Sequence, residues 1–315
     1  MKQKVLFIDT VHPLIRERLE GHGYHCDWSP GKGYHHYLGI IGDYTGIIIR
    51  SGITLDRHIL ERARQLKFIA RLGSGLENID VEYAVSKGIT CINSPEGNRD
   101  AVAEHAVGML LALNRRLLTT DRQVRQGTWL REENRGLEIK GKTVAIIGYG
   151  NTGSAFAQRL RGFECRAIAY DKYKSGFGND GVEEVTMEEV FSCTDILSLH
   201  VPLTQETRYL VNLDYFKKFR KPIVLINTAR GQVVNTHDLT VAMEGGIVTG
   251  ATLDVIEYEE SSFEMLKADK LPEPFRYLTQ SDQVVLSPHI AGWTHESKIR
   301  LAEVLVQKVL DLSLA

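Results

Sequence analysis

VAIIGYGNTGSAFAQRL, residues 144–160, is the stretch on which the reading of the whole chain turns. An apolar run ends at Gly148, Gly150 and Gly153 complete a GxGxxG spacing, and AFAQRL continues with helical character. Glycine at these three places permits a tight turn, close approach of a pyrophosphate to the backbone, and close packing of helix on strand. The amides at the helix start offer donors to the anion. Asn151 and Thr152 lie inside the same turn. The next apolar run, CRAIAYD, closes on Asp171, 23 residues after Gly148 (171 − 148). A carboxylate there accepts hydrogen bonds from both adenosine ribose hydroxyls and repels a 2′-phosphate, which favours NAD over NADP. Lys172 and Lys174 follow, either as a solvated basic turn or as a softening of that preference.

Outward from this motif, short apolar runs alternate with helical stretches. Before it come VLFID (5–9), GIIIR (46–50), FIARL (68–72) and ITCIN (89–93); after it come ILSLHV (196–201), PIVLINTA (222–229), TGATLDV (249–255) and VVLSP (284–288). This alternation predicts an α/β protein with two parallel-sheet domains built from βα units. From about Asp100 to Gly127 one long helical pattern meets no proline and reads as a core helix, an oligomer contact, or both. The stretch 294–315 reads as a closing helix, and 260–283, with Pro272 and Pro274, as the most loop-like part.

The 315 residues carry 38 Lys plus Arg against 40 Asp plus Glu, with 43% hydrophobic and 25% charged residues. That length suggests about two domains, each able to bury a core, and the composition excludes disorder, collagen-like repeats and small disulfide scaffolds. A net charge of −2 speaks against a sequence-independent nucleic-acid binder, which needs an excess of Lys and Arg to neutralise phosphates. The apolar run VLFI stops at Asp9, short of a signal-peptide core, and no stretch approaches the roughly 18 apolar residues of a membrane span. Cys26, Cys91, Cys165 and Cys193 are scattered without a CxxC pair and read as reduced thiols. The expectation is a cytoplasmic enzyme with no metal, membrane or nucleic-acid partner.

Three polar residues sit at or just beyond the C-terminal ends of later strands, where ligands bind in open α/β sheets. Arg230 follows PIVLINTA, and its guanidinium fork can pair with a carboxylate or an α-keto acid oxygen. Glu259 lies past TLDV and His289 follows VVLSP. A histidine paired with a carboxylate suits a group that gives a proton to a carbonyl oxygen as hydride arrives. Singly, each has an ordinary structural explanation; their shared position after a dinucleotide motif is what singles them out.

GYGNTG with Asp171, DILSLHVPLTQETRYLV, INTARGQVV, LDVIEYEE and SPHIAGWT together resemble the D-isomer-specific 2-hydroxyacid dehydrogenase family over nearly the whole chain. The resemblance implies a Rossmann NAD-binding domain (99–289) inserted into a flavodoxin-like substrate domain (1–98 and 290–315), with the active site in the cleft between them. It implies Arg230 as the substrate-orienting arginine, His289 as acid/base and Glu259 as its partner. Asp254 matches a residue near the nicotinamide, His200, Pro202 and Thr207 match the adenosine-side loop, and Ala229 and Gly292 join the cofactor set. In RLGSGLENID, the amides of Ser74 and Gly75 match those that hold the substrate carboxylate. Two departures stand out: Glu260 where the family has Pro, so that the choice of Glu259 over Glu257 or Glu260 rests on its spacing from Asp254, and a longer interval from Glu259 to His289, which makes the Pro272–Pro274 region an insertion.

Within the family the chain is most similar to short-form D-3-phosphoglycerate dehydrogenases of serine biosynthesis. Arg71, and Arg50 with Ser51, match positions facing the substrate phosphate there, whereas hydroxypyruvate or glyoxylate would need only Arg230 and the loop amides. A C-terminal serine-binding domain, and feedback through it, are not expected. The region after Asp100 resembles the family's dimer contact, so a homodimer is expected. A different class, an NAD(H)-sensing scaffold or corepressor, shares this fold.

Overall fold

The computed structural model describes residues 3–179, 181–259 and 271–312. The apolar runs of the first hundred residues become strands β1 (Lys4–Phe7), β2 (His25–Trp28), β3 (Gly46–Ile49), β4 (Phe68–Arg71) and β5 (Thr90–Asn93). They form one parallel sheet in the order β2-β1-β3-β4-β5, the flavodoxin-like doubly wound arrangement. One face packs on the helices Pro13–Gly21 and His295–Leu310, and the other on Tyr34–Ile40, Arg57–Arg62 and Val81–Ser86. The closing helix buries Ala302, Leu305, Val306 and Val309, a stripe at helical spacing, against Val5, Phe7 and Ile15.

The second sheet comprises β6 (Thr143–Ile147), β7 (Arg166–Tyr170), β8 (Glu183–Glu184), β9 (Ile196–Leu199), β10 (Ile223–Asn227), β11 (Val248–Leu253) and β12 (Val284–Leu286). Its order is β12-β11-β10-β9-β6-β7-β8, all parallel. Every residue of β6, β9 and β10 is buried, as a parallel sheet covered on both faces requires. The strand order reverses between β6 and β9, so the carboxyl ends of these two strands form the switch point at which such sheets bind ligands.

Contacts divide the chain into Met1–Arg99 with Trp293–Ala315, and Asp100–Gly292. The rear boundary lies three residues beyond the expected 289/290 because the amides of Ile290 and Ala291 bond to the Asp254 carboxylate and stay with the second unit. Strands β2 and β8 escape the reading by apolar runs: β2 buries only Cys26 and β8 is two exposed glutamates, both at sheet edges. The expected long helix is two, Arg99–Asn114 and Leu117–Arg125, broken at Arg116, whose φ is 53°. The break is tertiary: the carbonyl of Asn114 accepts the amide of Leu137 (2.8 Å) instead of continuing the helical ladder. In the stretch expected to be a loop, residues 260–270 lie outside the described residues, and Glu273–Gln280 is a helix with Pro274 in its first turn, where a missing N–H costs nothing. No described helix is long and apolar enough to cross a membrane, and all four cysteines are free thiols.

Candidate active site

The glycine turn after β6 divides its glycines by task. Gly148 has φ +92°, and a Cβ there would lie 2.7 Å from the carbonyl oxygen of His200; at Gly153 it would lie 2.1 Å from the carbonyl oxygen of Gly148. These two are demanded by the turn and by the packing of the helix Asn151–Leu160 on β6. Gly150 has φ −88°, open to any residue, and a Cβ there would meet nothing within 4 Å. Its missing side chain therefore serves no internal contact. It keeps a cradle clear at the N-terminus of a ten-residue helix, beside Asn151 and Thr152, which fits a dinucleotide pyrophosphate.

At the end of β7, Asp171 accepts from the amide of Tyr149 through Oδ2 (2.8 Å) and from the amides of Tyr173 (2.9 Å) and Lys174 (3.1 Å) through Oδ1. The carboxylate is thereby fixed beside the glycine turn. The two following lysines are drawn to protein groups: Lys172 pairs with Glu206, and Lys174 Nζ donates to the carbonyl of Tyr149 (3.2 Å). His200, beyond β9, is buried with Nε2 against Ser198 Oγ (2.9 Å) and Nδ1 against Thr152 Oγ1 (3.2 Å). Burial pushes its pKa down to about 3, so the ring is neutral and braces Thr152. Thr207 Oγ1 donates to the carbonyl of Pro202 (2.6 Å) and accepts from the amide of Thr204 (2.8 Å), closing the loop that follows.

The three proton-transfer and anion-binding candidates come together at the carboxyl ends of β10, β11 and β12. Asn227 Oδ1 accepts from the amide of Ala229 (3.0 Å) while Nδ2 donates to the carbonyl of Arg230 (3.1 Å), which fixes the turn presenting Arg230. A Cβ on Gly231 would lie 1.9 Å from the carbonyl oxygen of Ile256, so the Arg230 turn rests directly on the backbone of the Glu259 loop. Glu259 Oε1 accepts the amide of Ile256, and Oε2 lies 2.6 Å from Nδ1 of His289. A carboxylate on Nδ1 places the ring proton there and assigns exchange with a ligand to Nε2. Glu257 is engaged elsewhere, accepting from Tyr209 Oη (3.0 Å) and the amide of Thr236 (2.9 Å); Glu260 lies outside the described residues.

His289 has φ 55°, an uncommon conformation for a residue with a side chain. Its amide donates to the carbonyl of Asp254 (2.8 Å), and the Asp254 carboxylate, 1% exposed, accepts from Ser287 Oγ (2.6 Å) and from the amides of Ile290 (2.9 Å) and Ala291 (2.8 Å), next to Gly292. Burial works against this charge, but hydrogen bonds from His105, Ser287 and the two amides outweigh it and hold the pKa below the ordinary carboxylate value. His105, Ser287 and Asn227 have no counterpart in the sequence reading: nothing in their local spacing separates them from structural polar residues.

A sequence model of the D-isomer specific 2-hydroxyacid dehydrogenases, describing their NAD binding domain, matches residues 107–291, more than half of the chain. The chain belongs to this family. It is 31% identical to a D-3-phosphoglycerate dehydrogenase of Archaeoglobus fulgidus over 312 residues, which are 98% of this chain and 57% of that protein. The chain thus spans little more than half the length of that relative. It is 36% identical to a hydroxypyruvate reductase of Thermotoga maritima over 86% of each. A solved D-lactate dehydrogenase of Aquifex aeolicus, complexed with NAD and lactic acid, matches at TM-score 0.82 and 28% identity, covering 97% of this chain and 94% of that one. The second unit is the family's Rossmann-type NAD-binding domain.

In the first unit of this family member, Asp9, which the sequence reading uses only to mark the end of an apolar run, organises the sheet end. Its Oδ2 accepts from the amides of Arg50 (2.5 Å) and Gly52 (3.2 Å), and a Cβ on Gly52 would lie 2.1 Å from Oδ1. The turn Arg50–Ser51–Gly52 is folded tightly onto that carboxylate. The pairing of Ile49 with Arg71 brings Arg50 and Arg71 to one sheet end, where Arg71 Nε donates to the carbonyl of Arg50 (3.2 Å). Gly73, at φ +148°, makes room for the Arg71 guanidinium. The Arg50 guanidinium lies 4.7 Å from the Trp293 ring centroid, a cation–π contact, and burial lowers its pKa despite nearby Asp9. Ser74 Oγ donates to Asn98 Oδ1 (2.8 Å) and its carbonyl accepts from Asn93 Nδ2 (2.6 Å), which fixes the segment running on to Gly75.

Proposed function

We propose that the chain catalyses reversible hydride transfer between nicotinamide and C2 of a D-2-hydroxy acid. The observation that carries this reading is the 2.6 Å contact of Glu259 with His289 Nδ1 beside the Arg230 turn. NADH supplies the hydride in reduction, and NAD accepts it in oxidation. His289 Nε2 gives its proton to the carbonyl oxygen of the 2-keto acid as C2 is reduced, and takes the hydroxyl proton in the reverse direction. Glu259 holds the ring in the tautomer and orientation this requires, and Arg230 binds the oxygens on which negative charge develops. Gly150, Asn151 and Thr152 would hold the pyrophosphate, Asp171 the ribose, the 202–207 loop the adenine side, and Ala229 and Gly292 the nicotinamide end. Asp254, 1% exposed with its carboxylate taken up by Ser287, Ile290 and Ala291, acts on the His289 turn instead.

Asp171 supports NADH as the working cofactor, with Lys172 and Lys174 drawn to protein groups rather than left to meet a 2′-phosphate. Steady-state comparison is expected to give a kcat/KM for NADH at least ~10-fold above that for NADPH, since a buried or semi-buried charge contact of this kind contributes about 1.5–3 kcal/mol. Equal values would remove the role given to Asp171.

The preferred substrate pair we propose is 3-phosphoglycerate and 3-phosphohydroxypyruvate, because Arg50 and Arg71 share one sheet end with the Ser74–Gly75 segment. The second reading, hydroxypyruvate or glyoxylate reduction, is favoured by the commitment of Arg71 to the Arg50 carbonyl and of Arg50 to Trp293. A panel of 2-keto acids with NADH decides. On the first reading Arg71→Ala lowers kcat/KM for phosphohydroxypyruvate about 10- to 100-fold more than for glyoxylate. Equal losses favour the second, and negligible rates throughout alongside tight NADH binding favour a sensing scaffold.

We also propose a homodimer. Met109 and Leu110 of the AVGMLLAL stretch are core residues, whereas Leu117, Leu118, Val124, Trp129 and Leu137 are at least half exposed on the following helix and segment. Such a run of apolar surface suits a second copy. Light scattering is expected to give twice the chain mass, and a stable monomer would exclude it.

A further inference from the structure

His105 projects from the helix Arg99–Asn114, where neighbours Ala103, Ala106 and Met109 are buried in the second unit. Its Nε2 lies 2.9 Å from Ser287 Oγ and 3.4 Å from Asp254 Oδ1, and Ser287 Oγ donates to that same Oδ1 at 2.6 Å. Because the serine hydroxyl spends its single proton on the carboxylate, it accepts from His105, which places a proton on Nε2. A directed chain results, from imidazole N–H to hydroxyl to carboxylate. At its far end Asp254 grips the acid/base turn from both sides, with its carbonyl on the amide of His289 and its carboxylate on the amides of Ile290 and Ala291. Between these grips His289 is held at φ 55°, a conformation that a residue with a side chain keeps only when its surroundings impose it.

We infer that His105 is a positioning residue for the proton transfer: through Ser287 and Asp254 it holds the turn that sets His289 against Glu259. The inference rests on the reading of His289 as the acid/base. The Nε2 proton of His105 fixes the rotor of Ser287, which in turn leaves the Asp254 carboxylate a fixed orientation. A hydrophobic replacement of equal bulk keeps the packing against the helix but lets the hydroxyl and carboxylate reorient.

The experiment compares wild type, His105→Leu, His105→Gln and Ser287→Ala with NADH and the 2-keto acid most active in the panel, and measures NADH affinity by fluorescence. Sub-ångström misplacement of a proton donor is costly, so His105→Leu is expected to lower kcat ~10-fold or more while KM and the NADH Kd stay within about twofold. Glutamine, whose amide nitrogen reaches the place of Nε2, is expected to restore kcat to within about threefold of wild type. If the leucine variant does not fold, Ser287→Ala carries the same kcat expectation. Wild-type kcat in His105→Leu or in Ser287→Ala overturns the inference, as does a loss that glutamine fails to restore and that NADH affinity follows in step. Absence of turnover in the wild-type protein overturns the proposed function, and this inference with it.

Discussion

His289→Ala is expected to lower kcat by about three orders of magnitude, within the 10²–10⁴ range of a positioned general acid, while NADH binding is retained. The reason is geometric. The ring is held by Glu259 at 2.6 Å through Nδ1, and the turn that carries it by the bond of its own backbone amide to the Asp254 carbonyl. Alanine removes the proton source but leaves the Asp254 bonds to Ile290 and Ala291, and with them the turn, intact. Alanine takes up φ 55° less readily than histidine, so it is these retained bonds of Asp254 that hold the turn in the variant. A kcat within tenfold of wild type would remove His289 from the reaction. A parallel loss of NADH affinity would show that the turn had collapsed.

Arg230→Gln is expected to lower kcat/KM by about 10²–10³, the cost of removing a preorganised donor from developing negative charge. The bonds of the Asn227 side chain to the backbone of Ala229 and Arg230, and the contact of Gly231 with the Ile256 carbonyl, do not involve the guanidinium and survive the change; the substitution removes charge, fork and the Arg230 Nη1 bond to the Ala229 carbonyl (2.7 Å). Arg230→Lys is expected to recover only part of the loss, because an ammonium cannot reproduce two parallel N–H donors. Full recovery by lysine would reduce the role of Arg230 to simple charge.

What was legible in the sequence is what short-range spacing can encode. The GxGxxG turn, Asp171 at the end of the next strand, and Arg230 and His289 at later strand ends all lie within a few residues of the apolar run that presents them. Glu259 was half legible: five residues from Asp254 marked it, but its distinction from Glu257 depends on Tyr209 and Thr236, which take up the Glu257 carboxylate from elsewhere in the fold. His105 and Asp9 were not legible, because their partners come from distant segments: Ser287 and Asp254 for one, the Arg50 turn for the other. The helix break at Arg116 was hidden for a like reason, since neither glycine nor proline marks it and the amide of Leu137 causes it. Edge strand β2 was hidden because an edge buries too little to leave an apolar run.

The chain order of the first unit has a consequence for how the protein is made. Its five strands leave the ribosome first, yet Val5, Phe7, Ile15 and Phe68 are covered by Ala302, Leu305, Val306 and Val309 of the closing helix. Among the described residues, until that helix is synthesised one face of the sheet has only the helix Pro13–Gly21 against it, whereas Asp100–Gly292 is continuous and its core clusters draw on its own residues. The unit made second can therefore finish folding first, and the unit begun first waits with apolar surface open to chaperones or to misassociation. Ribosome-bound chains stalled before Trp293 are expected to resist protease across the nucleotide-binding unit and to be cut within the first hundred residues.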